Sequence, residues 1–249
     1  MSRKNISRRC FLAASVAAAS CSVVPRREIA GAKRVSPSEK LNIAGIGVGG
    51  MGGGNLGQLE AENIVALCDV DHGYAARTFA RYPKAKLYKD FRVMLEKQKD
   101  IDAVVVATPD HTHAVISMAA IQAGKHVYCQ KPLTHDIYES RTLAEAAREA
   151  KVATVMGVQG HSGEGIRLIC EWIWDGAIGA VKEVDAWCSL SYYPPGHANW
   201  SSKWSDRPTD APAAPENLDW DLWIGPAPHR PYHPAYHPAV WRCWWDFGC

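Results

Sequence analysis

The stretch LNIAGIGVGGMGGGNL, residues 41–56, decides the fold prediction because an apolar run there breaks abruptly into glycines. Two registers of this stretch satisfy the pattern G-x-G-x-x-G, namely Gly45/Gly47/Gly50 and Gly47/Gly49/Gly52. We favour the second register because it leaves an uninterrupted strand, residues 41–46, in front of the turn. Glycines at these positions permit a tight turn, a close approach of backbone to a pyrophosphate, and packing of the next helix on the sheet.

A second apolar run, residues 64–68, ends at Asp69, about twenty residues beyond the glycines. An acidic side chain at this place accepts hydrogen bonds from ribose hydroxyls, and Asp71 is the second candidate for that role. No arginine follows at once to hold a 2′-phosphate, so NAD is favoured over NADP. In the turn itself, the predicted cofactor-binding residues are Gly47, Gly49, Gly50, Met51 and Gly52.

Strand-like and helix-like segments alternate after Asp69. Strands are predicted over residues 85–88, 103–107, 127–129 and 153–156, and helices over 74–81, 91–97, 114–123 and 137–150. This alternation predicts an α/β fold with a parallel, doubly wound sheet. Ligands bind beyond the carboxyl ends of the strands in such a sheet. Two segments with polar groups, Thr108-Pro109 and Gln130-Lys131-Pro132, follow directly after predicted strands.

Three motifs together resemble the glucose–fructose oxidoreductase, inositol dehydrogenase and MocA (Gfo/Idh/MocA) family. They are GIGVGGMG (residues 45–52), VVVATPDHTHA (104–114) and HVYCQKPLT (126–134). Gln130 replaces the glutamate that precedes Lys-Pro in that family. The resemblance implies a Rossmann domain over residues 38–162, followed over 163–249 by the first part of an α+β domain built on an open antiparallel sheet. It also implies NAD(P)-linked oxidation or reduction of a sugar or polyol, and a homo-oligomer for the full-length protein.

Lys131 is the predicted catalytic residue, and it is also expected to contact the substrate. When a hydride leaves an alcohol carbon, the hydroxyl proton must leave as well, and a partly desolvated lysine near a cationic nicotinamide can take part in that transfer. The alternative is a solvated charge in a turn fixed by Pro132. The remaining predicted cofactor contacts are Thr108, Pro109, His113 and Gln130.

Other polar residues near these motifs have weaker assignments. His111 and His113 form a His-x-His pair, but the spacing places no third ligand, and no metal is predicted. Asp110 is expected to cap the helix that starts near residue 112. Gln159 and His161 follow the last strand, and we expect them to face the crevice and contact the substrate.

Residues 1–34 have the features of an export signal. Arg8 and Arg9 precede Cys-Phe-Leu and an apolar run that ends near Pro25. A basic segment, a short apolar segment and small residues beyond are typical of a signal peptide, and the paired arginines are typical of the twin-arginine type. The run is too short for a stable membrane span. We therefore expect passage through the twin-arginine export machinery to the periplasm, a basic disordered tail being the alternative.

Two ways of processing this signal stay open. Small residues at 30–32 favour plain cleavage, whereas residues 19–21 form a weak lipobox that would lipidate Cys21. Cleavage after Ala32 removes more basic than acidic residues, so the slight excess of 28 basic over 26 acidic side chains belongs to the signal. The mature part therefore shows no basic surface typical of nucleic-acid binding. Cys68, Cys129 and Cys188 stand in apolar runs and are expected to be buried free thiols.

All ten tryptophans lie between residues 172 and 245. They fit either an aromatic core and interface or rings that stack on sugar faces. The motif PYHPAYHP, residues 231–238, would be a proline-stiffened loop over the site. A strand is expected within residues 181–190.

The family's catalytic Asp-x-x-x-His pattern has no match after Lys131, so the chain is expected to be a fragment. Three functions stay open: an NAD-dependent sugar or polyol oxidoreductase, which we favour, a glycosidase that uses NAD transiently, and a dinucleotide-binding module without turnover. The Lys-Pro motif argues against the glycosidase.

Overall fold

A six-stranded parallel sheet is the centre of the computed structural model, which describes residues 40–187 and 206–248. Its strands are β1 (Asn42–Ile46), β2 (Asn63–Cys68), β3 (Lys86–Tyr88), β4 (Ala103–Val106), β5 (His126–Gln130) and β6 (Thr154–Gly157). Their order in the sheet is β3-β2-β1-β4-β5-β6. This is the order of the doubly wound dinucleotide-binding fold, in which the chain switches direction between β1 and β4. The predicted parallel sheet is confirmed.

Helices cover both faces of this sheet. They are α1 (Met51–Gly57), α2 (Ala76–Arg81), α3 (Phe91–Lys97), α4 (His113–Gln122) and α5 (Ile137–Ala150), followed by α6 (Glu164–Trp174) and α7 (Trp220–Ile224). One apolar cluster includes Leu56 of α1, and a second joins Met94 of α3, Ile116 of α4 and Leu143 of α5. Because both faces are covered, the central strands read as continuous apolar runs.

Local signals set one limit of each of three helices where it was predicted. The Asp90 side chain accepts a hydrogen bond from the Arg92 amide at the start of α3, and Asp136 accepts one from the Glu139 amide at the start of α5. Both are standard N-caps. α4 ends before Gly124, whose φ of 71° permits the left-handed conformation that closes a helix.

One predicted cap and one predicted helix start differ from the structure. Asp110 does not cap α4, because residues Asp110–Thr112 form a 3₁₀ turn and α4 begins at His113 without a side-chain cap. α2 begins at Ala76 rather than at residue 74, because the preceding turn is held by the Asp71 carbonyl, which accepts from the Ala75 amide at 3.0 Å.

Residues 206–248 form a second segment, which docks on the carboxyl end of the sheet. The Asp219 amide donates to the Val70 carbonyl at 2.9 Å, and the His111 amide donates to the Phe247 carbonyl at 3.3 Å. This segment has its own aromatic core, which contains Leu218, Trp220, Trp223, Ile224, Tyr236, Trp241 and Phe247. Trp220 and Trp223 stack with ring centres 4.7 Å apart. For these tryptophans the core interpretation is therefore confirmed, whereas Trp245 is 89% exposed.

The later part of the chain differs from expectation. Residues 181–187 form no strand, and the rest of the strand expected over 181–190 lies outside the described residues, as do Cys188 and the signal at 1–34. The described residues of 163–249 contain α6, α7 and a 3₁₀ turn, Val240–Cys243, so the antiparallel sheet that the resemblance implies stays a prediction. None of the described helices is long and apolar enough to cross a bilayer.

Cys68 and Cys129 are buried free thiols, as predicted. Burial raises the pKa of both, that of Cys129 to about 12, so neither is a nucleophile at neutral pH.

Candidate functional site

The glycine turn between β1 and α1 adopts the register Gly47/Gly49/Gly52. Gly47 has a φ of 77°, and a Cβ on it would lie 2.7 Å from the Thr108 amide nitrogen at the end of β4. A Cβ on Gly52 would overlap the Gly47 carbonyl oxygen. Gly45, by contrast, lies inside β1. The turn thus needs glycine both for its backbone conformation and for close packing of α1 on the strand ends.

The amides of this turn fall into two groups. Those of Val48 and Gly49 donate to Oδ2 of Asp69, at 2.8 and 2.9 Å. Those of Gly50, Met51 and Gly52, in the first turn of α1, donate to none of the residues that the structure describes. Amides at a helix N-terminus are suited to an anion, so those of Gly50 and Met51, which line the crevice, are free for a phosphate.

Asp69 lies at the end of β2, directly beside the glycine turn. Its Oδ1 accepts from the Asp71 amide at 3.0 Å, and the side chain is largely buried. Burial raises the pKa of Asp69, although three backbone amides stabilise the carboxylate and partly offset this effect. The carboxylate therefore braces the turn at the place where an acceptor for ribose hydroxyls is expected.

A crevice of about 600 Å³ opens over the carboxyl ends of the strands. Ten of the predicted site residues line it: Gly47, Gly49, Gly50, Met51, Asp69, Thr108, Pro109, His113, Gln130 and Lys131. The opposite wall comes from residues 221–242, including His237 and Pro238 of the loop predicted to lie over the site. The crevice has the size of a small-molecule site.

Asp71, the second candidate for the ribose acceptor, has a structural role instead. Its carboxylate accepts from the Tyr74 amide at 2.9 Å, from the Asn217 side chain, and from Nε2 of His237 at 2.8 Å. Burial raises its pKa, but these hydrogen bonds outweigh burial and lower the pKa overall. Asp71 therefore ties the second segment to β2 and is not the free ribose acceptor that was its alternative role.

His113 and Gln130 brace the crevice from behind. The ring nitrogens of His113 lie 2.6 Å from the Pro132 carbonyl and 2.8 Å from the Thr108 carbonyl. The side-chain amide Nε2 of Gln130 donates to Oδ1 of Asn55, on α1, at 2.9 Å. Both side chains are buried. They connect the ends of β4, β5 and α1, and their direct contact with a cofactor stays a prediction.

Lys131 follows β5 and lines the crevice. Its side chain is exposed, and its ammonium forms no hydrogen bond or ion pair with any described residue. The predicted position at a strand end is correct, and the partial desolvation expected beside a nicotinamide stays a prediction. The ammonium is free to meet a ligand that enters the crevice.

Gln159 and His161 do not meet the expectation that they face the crevice. They lie in a 3₁₀ turn after β6 and are exposed, and neither lines the crevice. Gly52 likewise packs behind the turn rather than at its surface. Substrate contact by Gln159 and His161 stays a prediction without support from this geometry.

His111 is buried between the second segment and the sheet. Its Nε2 lies 3.1 Å from the Trp223 carbonyl, whereas the His113 ring is turned to other carbonyls, so the two rings do not form a shared metal site. Burial lowers the pKa of His111 to about 4 and keeps the ring neutral near pH 7.

Several crevice residues were missed from sequence. Tyr74, Trp223, Trp241 and Arg242 all line the crevice. No motif marks them, because their positions depend on how the second segment docks. The donor set as a whole suits a dinucleotide: two free amides at the crevice for phosphate, a carboxylate beside them, and glycines where a Cβ would obstruct the turn.

Comparison with known proteins agrees with this geometry. Residues 41–158 match a family model described as "Oxidoreductase family, NAD-binding Rossmann fold" (GFO_IDH_MocA), and residues 194–249 match the C-terminal alpha/beta domain of the same family. Together the two models match more than half of the chain.

Individual relatives are more distant. The chain is 30% identical over 115 residues to levoglucosan dehydrogenase of Pseudarthrobacter phenanthrenivorans, a match that covers 46% of this chain and 29% of that protein. It is 31% identical over 121 residues to inositol 2-dehydrogenase 1 of Saccharopolyspora erythraea, covering 43% and 36%. A solved 3-ketoreductase from Actinomadura kijaniata, in complex with TDP-benzene and NADP, superposes with a TM-score of 0.53 at 27% identity, covering 57% of this chain and 45% of that one. The matches thus span about a third of the length of these curated relatives.

Proposed function

Because this chain belongs to the Gfo/Idh/MocA family of oxidoreductases, we propose that the protein transfers a hydride between NAD and a hydroxyl-bearing carbon of a sugar or polyol. One observation carries the proposal: the free amides of the glycine turn, the Asp69 carboxylate and the Lys131 ammonium all belong to one crevice. Relatives named for levoglucosan and inositol support the substrate class.

The residues of the turn would hold the cofactor. Gly50 and Met51 would donate to its phosphates, and Asp69 would accept from its ribose hydroxyls. Asp69 already holds a buried carboxylate at this place, and a 2′-phosphate beside it would add like charge. This supports NAD over NADP. The bound nicotinamide would supply or accept the hydride.

Lys131 would manage the proton of the substrate hydroxyl. Oxidation to a carbonyl breaks a C–H and an O–H bond, so a group within the crevice must receive that proton. The Lys131 ammonium has no competing described partner and can donate a hydrogen bond to the hydroxyl oxygen. Because the side chain is exposed, the ammonium can first pass a proton to water, and the resulting amine can then accept the hydroxyl proton. Lys131 therefore both orients the hydroxyl and takes part in proton transfer.

A substrate survey with lysine variants tests this function. Sugars and polyols are offered to the protein with NAD while nicotinamide absorbance is followed. Lys131→Ala should lower turnover by about a hundredfold or more, the scale of a lost acid–base group, with NAD affinity unchanged. Lys131→Arg should fail nearly as badly because guanidinium keeps its proton. Lys125→Ala, at the opposite end of β5, is the matched control.

The other outcomes separate the alternatives. Release of an aglycone from a glycoside without net change in the cofactor would identify a glycosidase. NAD binding without turnover of any compound would identify a binding module. Full activity of Lys131→Ala would remove the lysine from the mechanism.

We also propose that residues 1–34 direct twin-arginine export to the periplasm and that the full-length protein is a homo-oligomer. The paired Arg8 and Arg9 ahead of the apolar run support the export proposal. Replacing both arginines with lysine should retain the protein in the cytoplasm, as fractionation would show. Equal periplasmic amounts of the two forms would contradict it, and mass spectrometry of the exported form would distinguish cleavage from lipidation at Cys21.

A further inference from the structure

The ring of Tyr74 lies along the backbone of the glycine turn. A Cβ on Gly49 would overlap Cδ1 of this ring, and a Cβ on Gly50 would lie 3.3 Å from the Tyr74 hydroxyl oxygen. The ring thus lies alongside Gly49, with its hydroxyl next to Gly50. The residue is nevertheless 46% exposed, because its other face belongs to the crevice.

Three contacts fix this position. The Tyr74 amide donates to Oδ1 of Asp71 at 2.9 Å, which sets where the side chain leaves the backbone. Thr78 lies on α2, the helix that follows Tyr74 in the chain. Its hydroxyl donates to the Val48 carbonyl at 2.7 Å and anchors α2 to the turn. The His237 ring stands edge-on to the Tyr74 ring at 6.2 Å and is itself held by Asp71. The ring is therefore supported from its own backbone, from the turn and helix that follow it, and from the second segment.

The Tyr74 hydroxyl lies beside Gly50, a residue whose amide has no described acceptor. The Gly50 amide belongs to the group left free by Asp69, and the hydroxyl lies next to the same residue. An anion that accepts from the Gly50 amide would thus lie near a second, neutral donor, the Tyr74 hydroxyl. A phenol hydroxyl is well suited to donate to a charged phosphate oxygen.

We propose that Tyr74 is a cofactor-binding residue that covers the Gly49–Gly50 peptide with its ring and donates its hydroxyl to the phosphate bound at Gly50. This proposal rests on the proposed dinucleotide site and adds to it a donor from outside the glycine motif. It also gives Gly49 a second reason to lack a side chain, since the ring occupies that space before any ligand binds.

Calorimetric titration of Tyr74→Phe tests the hydroxyl. The variant keeps the ring, so its melting temperature should equal that of the wild type. Its affinity for NAD and for ADP should fall about tenfold, the size of one lost hydrogen bond to a charged group, while its affinity for adenosine, which has no phosphate, should not change. Tyr138→Phe, on an exposed tyrosine of α5, is the control.

The outcomes separate this proposal from the one on which it rests. Unchanged NAD affinity in Tyr74→Phe would overturn the role of the hydroxyl, as would an equal loss for adenosine and ADP. Tighter NAD binding by Tyr74→Ala would show that the ring obstructs the site, which also overturns the proposal. Failure of the wild type to bind NAD or ADP would instead remove the dinucleotide site itself.

A second measurement checks the ring without any ligand. Gly49→Ala should lower the melting temperature, because the new methyl group overlaps the Tyr74 ring. In the Tyr74→Ala background the same change should cost less than half as much. An equal loss in both backgrounds would show that the ring does not occupy the space next to Gly49.

Discussion

His111 should make the docking of the second segment sensitive to acid. Its ring is 3% exposed and lies between the rings of Trp223 and Phe247, with centres 5.4 and 5.1 Å away. Burial lowers its pKa from 6.5 to about 4, because the charged form would lose its hydration there. The folded state therefore holds the neutral ring, whereas the unfolded chain takes up a proton from about pH 6.5 downward.

The size of the effect follows from these two pKa values. Because the folded pKa is depressed, the stabilisation is complete above pH 6.5 and is lost as the pH falls towards 4. One pH unit corresponds to about 1.4 kcal/mol. His111 should thus remove about 2 kcal/mol of the free energy of unfolding by pH 5 and about 3 kcal/mol by pH 4.

Urea unfolding at a series of pH values, for the wild type and His111→Gln, measures this. The glutamine amide can still donate to the Trp223 carbonyl but cannot take up a proton. The difference in free energy of unfolding between the two proteins should therefore shrink as the pH falls. His229→Gln, on a histidine whose side chain is 73% exposed, is the control and should keep the wild-type pH dependence. An identical loss of stability in wild type and His111→Gln between pH 7 and 5 would show that protonation of His111 does not destabilise the fold.

Two further predictions concern the frame of the site. Gly52→Ala should lower the free energy of unfolding by about 1–3 kcal/mol, because the new methyl group overlaps the Gly47 carbonyl. Gly54→Ala, where a Cβ would meet nothing within 4 Å, should raise it by about 0.5–1 kcal/mol. Equal melting temperatures of the two variants would contradict this. The pKa of Asp71 is lower in the folded state than in the unfolded chain, so its carboxylate stabilises the fold above the usual aspartate pKa. This stabilisation is lost as the pH falls through the folded pKa. Asp71→Asn should therefore be less stable than the wild type at pH 7 and approach its stability in acid. A pH-independent gap in urea unfolding would argue against the Asp71–His237 pair.

Signals within one element made the Rossmann half predictable. The apolar run at 103–107 is short and rich in valine, which favours a strand covered on both faces, and residues 103–106 form β4. Asp136, placed just ahead of an amphipathic run, sets the start of α5 at the expected residue. The spacing from the glycines to Asp69 likewise placed both groups at neighbouring strand ends.

Contacts between distant residues could not be predicted in the same way. His237 reaches Asp71 across 166 positions of sequence, and His111 reaches Trp223 across 112. Such contacts depend on how one segment docks on another, which no local pattern encodes. The exposure of Lys131 is of the same kind, because its position after β5 follows from the alternation of elements but its burial depends on what lies opposite.

NAD titration into the wild type and Asp69→Asn tests whether the glycine turn binds a dinucleotide. The carboxylate of Asp69 arranges the glycine turn through Val48 and Gly49 and is the expected acceptor for the ribose. Calorimetry should show NAD binding to the wild type and an affinity at least about tenfold lower for Asp69→Asn, the cost of losing a charged acceptor. Asp102→Asn, which removes a carboxylate that accepts the Asn42 amide at the other end of the sheet, should bind NAD like the wild type. No binding by the wild type, or equal affinity in all three proteins, would contradict a dinucleotide site at this turn.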